Sequence, residues 1–107
     1  MAFRVLLLEG AERDLREIER FVTTRDSPQA ADRLLSGLEA ACVRLAALPL
    51  RGNVPKELRA LGIEDYREIH LKSYRIVYRI VGADVFIYCI LDGRRAMQSL
   101  LQRRLLR

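Results

Sequence analysis

Four arginines and the only histidine of the chain lie in or beside its most strand-like segment. They are His70, Arg75, Arg79, Arg94 and Arg95. Guanidinium groups can stabilise charge on a phosphate during transfer, and histidine has the ordinary pKa best suited to a general base. One hypothesis is therefore metal-independent RNA cleavage by His70, Arg75 and Arg95. The other is a basic surface that binds an anionic target or partner without catalysis.

Other chemistries have less support in the sequence. No second acid or base accompanies His70, and no Gly-rich phosphate loop or metal-ligand spacing occurs. Cys42 and Cys89 lie within apolar patterns, so we expect them to be small buried hydrophobic residues. The sequence therefore predicts neither a cofactor nor a metal site.

The alternation of side chains along a strand places these cations on one face. Tyr74 and Ile76 share a face with Tyr78 and Ile80, and the face behind them carries Arg75, Val77, Arg79 and Val81. Packed helices need an apolar floor, which Ile69, Leu71, Ile76 and Ile80 would supply. The opposite, open face would then gather His70, Lys72, Arg75 and Arg79. Glu68 and Asp92 are expected to offset part of this charge.

Helical spacing precedes the strands. Leu15, Ile18 and Val22 recur at helical intervals, and Ser27 and Pro28 form a capped start for a second helix. We predict that this second helix runs to about Leu48 and is stopped by Pro49. Two helices joined so closely form a helical hairpin.

The remaining segments complete a single domain spanning residues 1–107. Residues 50–64 are predicted to be mostly loop, and the tail 94–107 to hold a short helix. The predicted strands are Phe3–Leu8, Tyr66–Lys72, Tyr74–Val81 and Asp84–Leu91. The order is βααβββ(α), an α+β fold with the helical hairpin on one face of a small, mainly antiparallel sheet. The other face is open or covered by the tail or a partner.

The excess positive charge lies entirely in the second half. Residues 1–53 carry eight Arg and eight Asp or Glu, whereas residues 54–107 carry eleven Lys or Arg and six Asp or Glu. This asymmetry favours an anionic partner, either nucleic acid or an acidic protein surface. The sequence has no apolar run long enough for a membrane span or secretion signal, so we expect a cytoplasmic protein without a membrane partner.

Several motifs in order resemble the ParE/RelE superfamily of bacterial toxins, across nearly the whole chain. Two open the helices, Ala11-x-x-Asp14-Leu15-x-x-Ile18 and Ser27-Pro28-x-Ala30. The others are Leu45-x-x-Leu48-Pro49-x-x-Gly52, Tyr66-Arg67-x-Ile69, Tyr74-Arg75-Ile76-Val77-Tyr78-Arg79 and Asp92-Gly93-Arg94-Arg95.

The branch of the superfamily decides the function that the resemblance implies. RelE-type members are similar to ribosome-dependent mRNA endonucleases, and Arg75 and Arg95 match their pattern. Glu68 and His70 stand where lysines are usual, and Leu100-Leu101 where a late tyrosine would fall. The Ser-Pro helix start, the Leu-Pro-x-x-Gly segment and the Leu-x-x-Arg-Leu-Leu ending look more like the ParE branch.

The ParE resemblance implies a growth-inhibiting, plasmid-stabilising toxin that poisons DNA gyrase without being an enzyme. A cognate, acidic ParD-like antitoxin would neutralise it, and operator DNA would be contacted only through that complex. Leu38, Leu45 and Leu48 are a candidate apolar surface for the antitoxin. The residues expected to bind target or partner are Arg75, Arg79, Arg94, Arg95, Arg103 and Arg104. The alternatives are the mRNA endonuclease and an inactive relative that only binds an antitoxin.

Overall fold

A four-stranded sheet carries helices on both of its faces. The computed structural model describes residues 2–106, so Met1 and Arg107, the two ends of the predicted domain, lie outside the described residues. The elements in chain order are β1 Arg4–Leu7, α1 Glu9–Arg25, α2 Pro28–Arg44, α3 Lys56–Arg59, β2 Tyr66–Leu71, β3 Tyr74–Val81, β4 Asp84–Asp92 and α4 Met97–Leu105. The predicted α+β class and element order are confirmed.

The sheet has the strand order β1-β4-β3-β2. Tight turns join β2 to β3 and β3 to β4 in antiparallel hairpins, with positive φ at Lys72 (54°) and Gly82 (62°). The helical hairpin crosses one face of the sheet between β1 and β2, which form opposite edges, and β1 pairs with β4 in parallel. The sheet is therefore mainly antiparallel, as predicted.

A β-bulge shifts the register of the central pair. Val77 lies opposite Cys89 and Tyr78 lies opposite Ile87, so Tyr88 is an extra residue on β4. Because side chains alternate between faces, the extra residue lets Ile87 and Ile90 both face the helical hairpin. The bulge was not predicted from the sequence.

The helical hairpin begins where the sequence predicts and ends earlier. The hydroxyl of Ser27 accepts a hydrogen bond from the Ala30 amide at 3.0 Å, and Pro28 is the first residue of α2. The prediction that this helix reaches Leu48 is wrong. α2 ends at Arg44, because the next residues form turns that carry the chain down to the sheet. Leu48 is 62% exposed, whereas Leu38 and Leu45 are fully buried core residues.

Apolar residues form a core on each side of the sheet. The helical hairpin packs on Ile69, Ile76 and the partly buried Leu71 and Ile80, as predicted. On the other face α3 and α4 cover a second cluster, formed by Leu58, Tyr66, Val77, Cys89, Leu91, Met97, Leu100 and Leu101. The expected open face is therefore closed along much of its length. The tail covers part of this face through α4, and α3, which was not predicted, covers a further part.

Both cysteines are buried and free. Burial raises the pKa of Cys42 to about 11 and that of Cys89 to about 12, so both thiols are protonated at neutral pH. They act as small hydrophobic residues, as the apolar pattern predicts. Over the span from residue 2 to residue 106, no helix is both long and apolar enough to cross a bilayer.

Candidate functional site

Arg75 lies at the centre of a buried ionic cluster. Its Nη1 and Nη2 donate to the carboxylate of Glu57 at 3.0 and 2.6 Å, and its Nε donates to Glu68 at 2.6 Å. The side chains of Arg75, Glu57 and Glu68 are only 12%, 10% and 5% exposed. Two carboxylates thus occupy the donors that a free arginine would offer to a phosphate. We call these three residues the Arg75 cluster.

The electrostatics of the Arg75 cluster follow from this geometry. Hydrogen bonds from Arg75 hold the pKa of the Glu57 carboxyl below its ordinary value of 4.5, against the opposing effect of burial. The same bonds raise the pKa of the Arg75 guanidinium further above its ordinary range. Arg75 and Glu57 therefore form a charged pair at neutral pH, and the single cation of the cluster faces two carboxyl groups.

The depressed pKa of Glu57 predicts acid sensitivity. A carboxyl whose folded pKa lies below its unfolded value stabilises the fold above the unfolded value, and that stability is lost as pH falls through the folded pKa. We expect the free energy of unfolding to fall below about pH 4.5, and to fall less steeply in Glu57→Gln. Urea denaturation at stepped pH measures both slopes. The Asp92 carboxyl, whose pKa is lowered by Arg94, is present in both proteins and contributes equally to both slopes. Equal slopes would contradict the prediction.

His70 lies beside the Arg75 cluster, directly across the strand pair from Arg75. Its Nε2 is 3.4 Å from Glu68, and its side chain is 55% exposed. Arg95 lies elsewhere, in a recess of about 420 Å³ between α1 and the end of β4, with Ile18 and Phe21. The structure thus brings together two of the three residues of the catalytic hypothesis and places the third in a different recess.

A basic basin surrounds the exposed side of the Arg75 cluster. This open depression has a volume of about 640 Å³, and its basic lining residues are Lys56, Arg59, His70, Lys72, Arg75 and Arg94. Lys56, Arg59 and Lys72 are exposed and make no ion pair with residues 2–106. Arg94 is bound to Asp92 at 2.6 Å but keeps 75% of its side chain exposed. The basic basin thus has a positive rim and a floor whose charges are paired. Glu68 and Asp92 provide the predicted offset.

The six predicted binding arginines do not form one patch. Arg79 lies four residues beyond Arg75 on β3, 3.5 Å from Asp65 and over the ring of Tyr66. Arg103 is exposed on α4. Together with the positions of Arg75, Arg94 and Arg95 above, this distributes the arginines over several sites around the sheet.

Arg104, the last of the six, points inward from α4. Its Nη1 and Nη2 donate to the carboxylate of Asp14 at 3.0 and 2.9 Å. Asp14 is 6% exposed and also accepts a hydrogen bond from the Ile90 amide at 2.9 Å, just beyond the β-bulge. Gly10 leaves room for this contact, since a Cβ there would lie 2.9 Å from Nη2 of Arg104. We call the contact between Asp14, Arg104 and Ile90 the helix latch.

Sequence reasoning missed Asp14 and Glu57. A carboxylate within the apolar stripe of helix one, between Ala11 and Ile18, was the available signal for Asp14. Glu57 gave no signal, because its helix of four residues was not predicted. Among residues 2–106 no three His, Cys, Asp or Glu side chains group as a metal site.

The fold is shared with toxins of known structure. The chromosomal ParDE toxin-antitoxin system from P. aeruginosa matches with a TM-score of 0.70 and 16% identity, over 83% of this chain and 94% of the matched chain. A free-state mutant of E. coli toxin RelE matches with a TM-score of 0.65 and 21% identity, over 99% of this chain and 100% of the matched chain. The RelBE2 toxin-antitoxin complex of Mycobacterium tuberculosis matches with a TM-score of 0.61 and 21% identity, over 84% of this chain and 96% of the matched chain. The chain thus shares its fold with these three structures.

Sequence comparison identifies the branch. The family described as "ParE toxin of type II toxin-antitoxin system, parDE" matches residues 5–97. Toxin ParE3 of Caulobacter vibrioides is 30% identical over 101 residues, which cover 94% of this chain and 97% of that protein. The chain therefore belongs to the ParE family of type II toxin-antitoxin toxins.

Proposed function

We propose that this chain inhibits growth by binding and poisoning DNA gyrase in the cytoplasm, and that it is not an enzyme. The observation that carries the proposal is the match of the ParE family to residues 5–97. Physical support comes from the Arg75 cluster. A nuclease arginine must offer its donors to the phosphate in the transition state, and here Glu57 and Glu68 occupy those donors.

In this proposal the predicted arginines act in two ways. The side chains of Arg79, Arg94, Arg95 and Arg103 reach solvent and contact the target or the antitoxin. Arg75 and Arg104 act indirectly, because their guanidinium groups are bound to carboxylates within the fold. The direct contacts then belong to several surfaces, which lets one chain engage a target and an antitoxin through different residues.

We further propose a cognate, acidic ParD-like antitoxin as the neutralising partner. The net charge of +5, with all of the excess in residues 54–107, favours a partner of opposite sign. An initially disordered acidic chain can wrap such a surface as it folds. The exposed Phe21, beside the recess lined by Ile18 and Arg95, gives it an apolar contact. The operator sequence is then recognised only indirectly, through the complex with the antitoxin.

The second candidate function is ribosome-dependent cleavage of mRNA. One observation favours it: Glu68 lies 3.4 Å from His70, where a carboxylate can orient an imidazole at the edge of the basic basin. In this alternative His70 is the base, and Arg75 and Arg95 stabilise the phosphate. It requires Arg75 to leave two carboxylates and Arg95 to leave its separate recess.

Two assays with the purified chain and one growth assay separate these candidates. We expect inhibition of DNA supercoiling by gyrase, intact mRNA on programmed ribosomes, and full growth inhibition by His70→Ala. Addition of the antitoxin should restore supercoiling. Arg94→Ala with Arg95→Ala should weaken gyrase inhibition. Cleaved ribosomal mRNA together with loss of toxicity in His70→Ala would reject the gyrase proposal.

A further inference from the structure

Three cations from two neighbouring segments converge on the rim of the basic basin. Lys56 and Arg59 are three residues apart on α3 and so lie on one side of that helical turn. Lys72 comes from the β2–β3 turn, where its φ of 54° is uncommon for a residue with a side chain. All three are exposed and form no ion pair within the described part of the chain. They are available to an external anion.

The carboxylates near the basic basin do not compete with that anion. Glu57 and Glu68 are bound to Arg75, and Asp92 is bound to Arg94. Lys56, Arg59, Lys72, Arg75 and Arg94 supply five positive charges against these three negative charges, which leaves a local excess of two. The acids lie at the floor or are paired, so the unpaired cations are the ones that face solvent.

The chemistry of the lining indicates which anion fits. Recognition of a run of unstacked bases needs several exposed aromatic rings. The basic basin offers one, the imidazole of His70, since Tyr74 is only 9% exposed. A site whose contacts are all lysine and arginine side chains binds phosphates and does not read the base sequence. A polynucleotide whose bases are already paired therefore suits the basic basin better than a single strand.

We propose that the basic basin binds the phosphate backbone of duplex DNA without sequence preference, through Lys56, Arg59, Lys72 and Arg94. This inference rests on the proposed function and deepens it, because a gyrase poison meets its target with a DNA duplex already bound. The toxin then contacts the DNA as well as the protein. Arg75 supports this site by pairing with both acids at the floor, so that neither carboxyl group is left without a cation.

The salt dependence of binding to a labelled 30-base-pair duplex tests the proposal by fluorescence anisotropy. Neutralisation of three to four phosphates predicts an affinity loss of about 40- to 150-fold between 50 and 200 mM salt. The duplex should bind more tightly than a single-stranded RNA of equal charge. Tighter binding to the RNA, or no binding to the duplex at low salt, would overturn the inference.

A matched pair of variants locates the site. The triple change Lys56→Ala, Arg59→Ala and Lys72→Ala removes three cations from the basic basin. The change Arg16→Ala, Arg20→Ala and Arg33→Ala removes three exposed cations from α1 and α2. We expect at least a tenfold loss of duplex affinity in the first and less than a twofold loss in the second. Equal losses would mean unspecific attraction and reject the site. Thermal unfolding confirms that both variants are folded.

The supercoiling assay separates this inference from the proposed function. If the chain inhibits gyrase but neither triple variant changes duplex affinity, the inference fails and the proposed function stands. If duplex binding depends on the basic basin but gyrase is unaffected at any concentration, the proposed function fails and the DNA site stands.

Discussion

Replacing Arg75 by alanine is expected to lower the free energy of unfolding by about 3–5 kcal/mol. The variant leaves Glu57 and Glu68 without their cation, although both side chains are at least 90% buried. Asn53 still donates to Glu68 at 3.2 Å, but Glu68 loses the charged Nε donor of Arg75 and Glu57 loses both of its guanidinium donors. The two buried carboxyl groups then lack the cation that offsets their desolvation. Urea denaturation followed by circular dichroism measures the loss.

Arg79→Ala is the matched control for this prediction. It removes the same side chain from the same strand and face, but Arg79 is 40% exposed and its partner Asp65 is 57% exposed. A surface pair of this kind contributes about 0–1 kcal/mol. The combined change Arg75→Met, Glu57→Gln and Glu68→Gln removes every charge of the cluster and should recover part of the stability lost in Arg75→Ala. If Arg75→Ala loses no more than Arg79→Ala, the buried cluster does not support the fold.

This contrast bears on toxicity assays of the basic residues. A growth assay with Arg75→Ala confounds loss of binding with loss of folded protein, since several kcal/mol is a large share of the stability of a small domain. Arg94, by contrast, can be changed with little effect on the fold, because its side chain is 75% exposed and the less exposed Asp92 still accepts a hydrogen bond from the backbone amide of residue 94. Direct contact with a target is therefore best tested at Arg94, not at Arg75.

The backbone pattern of the sheet was readable from the sequence. Alternation along Tyr74–Val81 places Ile76 and Ile80 under the helical hairpin and Arg75 and Arg79 on the other face, because strand pleating is a local property. The cap formed by Ser27 was readable for the same reason, since donor and acceptor are three residues apart. Local geometry thus predicted the face of each side chain along β3 and the start of α2.

The pairing of the charges was not readable. Whether Arg75 faces solvent or a carboxylate depends on Glu57, which lies eighteen residues away on α3. A helix of four residues is too short to show helical periodicity in the sequence. Likewise Asp14 and Arg104 are 90 residues apart and meet only after α4 folds back on the sheet. A strand pattern predicts which cations share a face. Only the tertiary structure decides which of them remain free.

The helix latch gives the second large expected effect. Asp14→Ala should lower the free energy of unfolding by about 2–4 kcal/mol, because it leaves the Ile90 amide without an acceptor and Arg104 without a counterion. The loss is smaller than for Arg75→Ala, since Arg104 is 26% exposed and can recover some hydration. Amide hydrogen exchange measures the local effect, and urea denaturation measures the global one.

Three further variants separate the two functions of Asp14. Asp14→Asn keeps an oxygen that can accept from Ile90 but loses the charge that holds Arg104, so this amide should stay protected while α4 exchanges faster. Arg104→Ala should give the same pattern, because Asp14 can still accept from Ile90. Glu19→Ala removes an exposed carboxylate from the same helix and should change stability by less than about 0.5 kcal/mol. Unchanged exchange of the Ile90 amide in Asp14→Ala would show that β4 holds its bulged end without the helix latch. α1 would then constrain the sheet only through apolar packing.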